Sequence, residues 1–269
     1  MRGFGEVAER LRRSTVQVHS RAGRGSGSGV VWSADGLVLT NAHVARGVDL
    51  EVEFWDGRQL PARVVMRAAR RDLASLRVAA ASLDAAAAGN SSSLRPGELV
   101  IAVGSPLGFA GAVSTGVIHS VGPIRGMGNR AWIRAQVRLA PGNSGGPLAN
   151  AEGRVIGINT AIINGLGIAV PSNDAADFVR RGPRPSLGVT LRPVSAGVLI
   201  LDVDPDGAAA MASLKAGDLL LLALDELYDA LDSGQPALRL RFLRGAPSSG
   251  RLPVRETVVR LGERAAEAA

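Results

Sequence analysis

The sequence predicts a mostly β chain in two parts, an all-β barrel or sandwich reaching to about residue 171 and a smaller α+β module after residue 186. Three observations predict it. Short apolar segments recur between clusters of Gly, Pro, Asn and Asp, with few helical stretches among them, which is the pattern of sandwiches and barrels. RGPRPS (181–186) is rich in Pro and Arg and reads as a linker. The roughly 80 residues beyond it are enough for a small domain with a core of its own. The expected division is 1–181, a linker at 182–186, and 187–269.

In chain order, EVAERLRR (6–13) places Val7 and Leu11 one turn apart and pairs Glu9 with Arg13, so a short helix opens the chain. The strand candidates that follow are TVQVHS, GVVW, LVLT, DLEVEFW, LPARVV, LASLRV, LVIAV, GVIHSV, RVIGI and GIAVP. Asp35-Gly36 between GVVW and LVLT is a strong hairpin signal. ASLDAAAAGNSSSL (81–94) reads as a surface loop, and NDAADFVRR (173–181) as a helix capped by Asn173 or Asp174. The second module offers strands around LGVTL, GVLILDV, DLLLLA, ALRLRFL and PVRETVVRL, with helical stretches at AAAMASL and DELYDAL. No internal repeat is evident.

Composition removes several functions. With no cysteine among 269 residues there is no disulfide framework, thiolate metal site or cysteine nucleophile. The net charge of +7 invites a nucleic-acid reading, but the positive charge is almost all Arg, scattered among acids, and aromatic residues make up only 3%. Stacking platforms need more than that, so no nucleic-acid partner is expected. No run approaches the roughly 18 apolar residues of a membrane span. MRGFGEVAER has neither the apolar core nor the cleavage site of a signal peptide. A cytoplasmic chain is expected as written, and an extracytoplasmic one if it is a trimmed form.

The chemical inventory is small. There is no HExxH, and Lys215, the only lysine, follows no phosphate-cradling loop. GRGSGSG (23–29) lacks GxGxxG spacing and leads into a strand, so it fails as a dinucleotide site. No metal or other cofactor is expected. PGNSGGPL (141–148) sets Ser144 among Gly142, Gly145 and Gly146. A nucleophilic serine on a tight turn needs small neighbours so that backbone N–H groups converge on an oxyanion and substrate approaches closely; a plain surface turn would read the same. The hydrolase elbow G-x-S-x-G also fits, but those enzymes place histidine after serine, and no histidine follows His119.

His43 follows the strand LVLT, and Asp72 stands at the mouth of LASLRV. Each alone is as well explained structurally, by a strand end or a turn cap. Together, the order His43, Asp72, Ser144, with gaps of 29 and 72 residues, matches one of the known chain orders of a catalytic triad. His19 and His119 fall inside alternating segments and read as strand residues.

These stretches resemble the HtrA/Deg serine proteases, a chymotrypsin-like protease followed by a PDZ domain. The matching segments are GSGSGVVWSADGLVLTNAHVA (25–45), RRDLASLRV (70–78), VIAVGSPLGF (100–109), VSTGVI (113–118), PGNSGGPLANAEGRVIGINTAI (141–162) and GLGIAVPS (165–172), in family order. In the second module SLGV (186–189) and LKAGDLLL (214–221) are similar to PDZ segments. The resemblance implies two six-stranded barrels with His43 as general base, Asp72 orienting it and Ser144 as nucleophile. It implies an oxyanion hole from the N–H groups of Gly142 and Ser144, and substrate pairing along Asn159, Thr160, Ala161 and Ile162. Leu187, Gly188 and Val189 would receive a C-terminal carboxylate, and Leu227 and Leu231 would face the peptide groove. AQVRLA (135–140) stands where the family reads something like TDAAIN, which puts Arg138 near the loop shaping the primary specificity pocket. The implied activity is ATP-independent cleavage of unfolded or misfolded proteins, with C-terminal peptides as a second class of partner and a possible homo-trimer. The alternative is a catalytically idle protease fold that captures C-terminal peptides.

Overall fold

The computed structural model describes residues 3–20, 26–47, 49–105, 111–125, 127, 130–182, 187–232, 235–245 and 253–261. The chain divides into two compact units, Met1–Gly182 and Pro183–Ala269. Of the expected linker, 183–186 lies outside the described residues, as do 23–25 of the glycine-rich run and 106–109 of VIAVGSPLGF.

The first unit is two closed barrels. β1 (Thr15–Ser20), β2 (Ser26–Ser33), β3 (Leu37–Thr40), β4 (Leu50–Glu53), β5 (Gln59–Ala68) and β6 (Leu73–Val78) close in the order β1-β2-β3-β6-β5-β4. β7 (Leu99–Gly104), β8 (Ala112–Gly122), β9 (Trp132–Val137), β10 (Pro147–Asn150), β11 (Val155–Ile163) and β12 (Leu166–Pro171) close in the order β10-β11-β12-β9-β8-β7. Read from its first strand, the second barrel repeats the order of the first. The sequence carries no matching repeat; a shared plan of antiparallel pairing does not require shared side chains. The pairings β1–β4 and β10–β7 close the two barrels.

Helix α1 (Phe4–Arg13) begins two residues before the expected start. It buries Val7 and Leu11 in a core cluster shared with Val30 and Leu39 of the first barrel and Ile101 and Ile158 of the second. Glu6 in its first turn and Arg10, Arg12 and Arg13 in its last complement the helix dipole. The hydroxyls of Ser14 and Thr15 both donate to the Leu11 carbonyl and end it.

Residues 81–94 are mostly exposed, as expected of a surface loop, but the loop is tied to both barrels. Ala86 N–H donates to Val31 O, Val155 N–H to Ala87 O, and Gly89 N–H to Val155 O. Helix α2 (Ser172–Arg181) corrects the expected cap. Pro171 occupies the N-cap position, and Asn173 instead accepts from Ser91 N–H and donates to Asn90 Oδ1, binding the helix to the connecting loop. Phe178 of this helix is buried, a gain of about 1.5–3 kcal/mol for a side chain of that size.

The second unit is a five-stranded antiparallel sheet, β13 (Val189–Val194), β14 (Gly197–Val203), β15 (Leu219–Leu220), β16 (Ala237–Leu243) and β17 (Arg255–Arg260), paired in chain order. Along β16, Leu238, Leu240 and Phe242 face the core while Arg239 and Arg241 face solvent, the period-two pattern expected of ALRLRFL. AAAMASL yields only one short helix, α3 (Ala208–Met211), and DELYDAL yields α4 (Leu224–Asp232). Asp218 is fully buried, with both carboxylate oxygens on the Arg244 guanidinium at 2.6 Å and one also accepting Lys215 N–H. Among the described residues no helix is long and apolar enough to cross a membrane, and no cluster of three or more His, Asp or Glu could hold a metal ion.

Candidate active site

His43 is presented by a single turn after β3, in which Val44 and Ala45 N–H both donate to Asn41 O. Asp72 follows a 3-10 turn at Ala69–Arg71 with left-handed backbone angles, φ 49° and ψ 43°. Aspartate tolerates that region better than most side chains. There its carboxylate reaches His43 at two points: Oδ1 accepts the His43 backbone N–H at 3.0 Å, and Oδ2 lies 2.7 Å from Nδ1. The buried Asn41 side chain donates to Asp72 O at 2.8 Å and fastens the two loops together. With Nδ1–H committed to Asp72, Nε2 is left as the acceptor of the ring.

Thr160 of β11 supplies a third donor to Asp72, its hydroxyl bonding Oδ2. The resemblance names Thr160 for the substrate strand; the structure gives its side chain this separate task. A threonine in an apolar strand carries no sequence signal for it. The Thr160 carbonyl accepts the hydroxyl of Ser144 at 3.1 Å. No hydrogen bond joins His43 to Ser144 among the described residues.

The loop 142–146 divides its N–H groups in two. Asn143 N–H donates to Ala140 O, Gly145 N–H to Asn159 O and Gly146 N–H to Asn143 O. Those of Gly142 and Ser144 have no intramolecular acceptor among the described residues. Gly142 adopts φ +102° and Gly145 φ +87°, where a side chain would be strained.

The remaining expected residues separate. Asn159 spends its N–H, its carbonyl and its side-chain amide on Gly146, Gly145 and Pro147, so it braces the loop and has no backbone group for a substrate strand. Beyond it, a bulge at Thr160 shifts the pairing, and among the described residues Ala161, Ile162 and Ile163 pair only with β12. Ile162 is half exposed. In the second unit Leu187 is buried and its carbonyl accepts Ala209 N–H; Gly188, at φ +69°, accepts Asp204 N–H; Val189 opens β13. Leu227, expected to face a peptide groove, is fully buried in the core of this unit, and Leu231 packs against that core. His19 sits on β1 with Nε2 3.4 Å from Glu53, and His119 on β8 beside Ser120, both outside the site. Arg138 is exposed just after β9.

The chain matches the family model described as a trypsin-like peptidase domain over residues 27–158. It is 40% identical to a probable periplasmic serine endoprotease, DegP-like, of Halomonas elongata over 77% of this chain and 49% of that protein. It is 38% identical to a putative serine protease, HhoB, of Synechocystis over 74% of this chain and 56% of that one. Among solved structures, the serine endoprotease from Yersinia pestis superposes with a TM-score of 0.68 at 27% identity, covering 97% of this chain and 99% of that one. The HtrA-type protease AlgW with a tripeptide gives 0.68 at 26%, covering 99% of each.

The chain belongs to the HtrA/Deg family of serine proteases. The double barrel is the chymotrypsin-like fold of that family. The chain spans about half the length of the curated relatives it matches, 49% of the DegP-like protein. Within this HtrA/Deg chain, Ser28, Asn41 and the hydroxyl of Thr160 brace the site without standing out in the sequence, save that the glycines around Ser28 signal a close approach of backbone there.

Proposed function

We propose that this HtrA/Deg chain is an ATP-independent serine endopeptidase. His43 is the general base, its ring held in one tautomer by Asp72, and Ser144 is the nucleophile that attacks the peptide carbonyl. The proton of Ser144 passes to Nε2 of His43 and then to the leaving amine, and water repeats the cycle on the acyl-enzyme. The N–H groups of Gly142 and Ser144 hold the oxyanion, each worth about 3 kcal/mol of the barrier. The observation that carries this reading is that, among the described residues, these two N–H groups of the loop 142–146 have no internal acceptor while their neighbours are bonded internally.

The substrate class is an extended protein segment that pairs with the open side of Ala161–Ile163 by strand addition. Only unfolded or exposed segments can adopt that form, which supports a role in protein quality control. The division into a protease domain at 1–181, a linker at 182–186 and a PDZ domain at 187–269 belongs to the same proposal, with Leu187, Gly188 and Val189 receiving C-terminal peptides. A homo-trimer is the proposed assembly. Relatives named periplasmic support an extracytoplasmic setting; the cytoplasmic expectation, drawn from the opening residues alone, gains no support from them.

The test is to incubate wild type and Ser144→Ala with a denatured protein and to sequence the fragments by mass spectrometry. Fragments from wild type alone, with Ser144 labelled by a fluorophosphonate, are the expected result; neither fragments nor label ends the proposal. One observation favours the idle peptide-binding reading: the Ser144 hydroxyl rests on Thr160 O instead of on His43. Under that reading C-terminal peptide capture survives Ser144→Ala and wild type turns nothing over.

A further inference from the structure

Ser28, the second serine of the GSGSG run and fully buried, bonds the loop 142–146 through both its backbone N–H and its hydroxyl. Its backbone N–H donates to Ser144 O at 2.7 Å, and its hydroxyl donates to Gly142 O at 2.6 Å while accepting Ser105 N–H at 2.9 Å. Its own carbonyl is fixed from behind by the Thr40 hydroxyl at 2.7 Å. The flanking and facing glycines make this approach possible. A Cβ on Gly27 would lie 2.9 Å from Ser144 O, and one on Gly104 would lie 3.0 Å from the Ser28 hydroxyl. One on Gly145 would strike the Ser28 carbonyl.

Gly142 is the softest link of the loop. Without a side chain, and at φ +102°, no steric preference sets the direction of its carbonyl. A hydrogen bond has to do so, and the one it receives comes from the Ser28 side chain. Asn143 N–H, in the peptide plane shared with that carbonyl, completes the turn on Ala140 O. β2 thus holds the carbonyls of Gly142 and Ser144, the two residues whose own N–H groups carry no internal bond among the described residues.

We infer that the Ser28 hydroxyl is a positioning residue for the oxyanion hole, acting through the Gly142 carbonyl. This rests on the proposed protease activity and deepens it. Ser28 takes no part in proton transfer and need not touch substrate. Its contribution is preorganisation, which matters most where charge develops.

The experiment measures peptide hydrolysis by Ser28→Ala, with active sites counted by fluorophosphonate titration, alongside inhibition by a peptide aldehyde and by the matching product peptide. The aldehyde forms a tetrahedral adduct whose oxygen occupies the hole; the product does not. The expected result is a fall of about tenfold or more in kcat per titrated site, less than the 10²–10³ lost when a donor itself is removed. KM and product binding stay near wild type, and the aldehyde Ki rises in parallel with the loss of kcat. A purely structural serine would lower the number of titratable sites and leave kcat per site unchanged. If Ser28→Ala does not fold, Ser28→Cys, slightly larger and with a weaker donor, is expected to move the same quantities less far. A kcat per site within about twofold of wild type, or a lower kcat with an unchanged aldehyde Ki, overturns the inference. Wild type that neither titrates nor cleaves overturns the protease reading instead, so the two failures are told apart.

Discussion

The hydroxyl of Ser144 donates to the carbonyl of Thr160 at 3.1 Å, and the hydroxyl of Thr160 donates to Asp72. One residue of β11 therefore holds both the Ser144 hydroxyl and the Asp72 carboxylate. Moving Ser144 onto His43 costs one hydrogen bond, net about 1 kcal/mol, and a side-chain rotation. In a phosphonylated enzyme the Thr160 carbonyl should have lost Ser144 as its donor. A crystal structure of the adduct reads this directly, and Oγ still within bonding distance of Thr160 O would contradict it.

Removing either end of the proton path should be nearly complete in effect. His43→Ala and Ser144→Ala are each expected to lower kcat by about six orders of magnitude, with the double variant little worse. Circular dichroism should stay that of wild type, since His43 is exposed and Ser144 only partly buried.

The acid is expected to show its role through the tautomer. Asp72→Asn offers an amide to Nδ1 and can turn the ring over, with an expected loss of about 10⁴ in kcat. Thr160→Val keeps shape and removes only the third donor to Asp72. Its expected loss is smaller, about tenfold, typical of a single supporting contact around a catalytic group. A Thr160→Val enzyme as impaired as Asp72→Asn would mean that the strand has moved.

Gly145 offers a test of the loop without touching a reacting atom. Gly145→Ala places a methyl against Ser28 O and the Thr40 hydroxyl at a backbone φ of +87°. The loop must shift, so fluorophosphonate labelling should fall well below wild type. The barrel cores, built from other residues, should keep their far-ultraviolet spectrum.

The second unit carries its own stability test. Arg244 holds both oxygens of the buried Asp218, and this contact raises the Arg244 pKa. Arg244→Met strands a buried carboxylate, at a cost of about 3–5 kcal/mol. Thermal melts should show this unit destabilised while active-site titration of the first unit is unchanged.

Much of the fold and the site could be read in the residues. Alternating apolar segments gave the strands, because a strand with one buried face must alternate. The helix cap at 172–174 was misjudged because Asn173 has a long-range partner in Asn90, which local capping rules do not see. AAAMASL reads as a helical stretch, but the structure ends the helix at Met211, and Ser213 follows at φ +60°. The family resemblance puts Leu227 and Leu231 beside a groove, whereas Leu227 lies in the core of the second unit, because a resemblance of segments does not say what covers a helix face.

By itself the sequence determined the chemistry available to this protein. It supplied the serine of GNSGG with a histidine and an aspartate before it in a recognised order, and no cysteine. Tertiary structure alone decided how those groups are held: Ser28 against Gly142, 114 positions away, and Thr160 against Asp72, 88 positions away. It also decided that both barrels follow one strand order without sharing a sequence. The physical reason is that a side-chain hydroxyl bonds whichever acceptor folding brings to it, and the backbone is no more specific. Backbone N–H and C=O groups are the same at almost every residue, so what they bond to across the fold leaves no mark on composition or period.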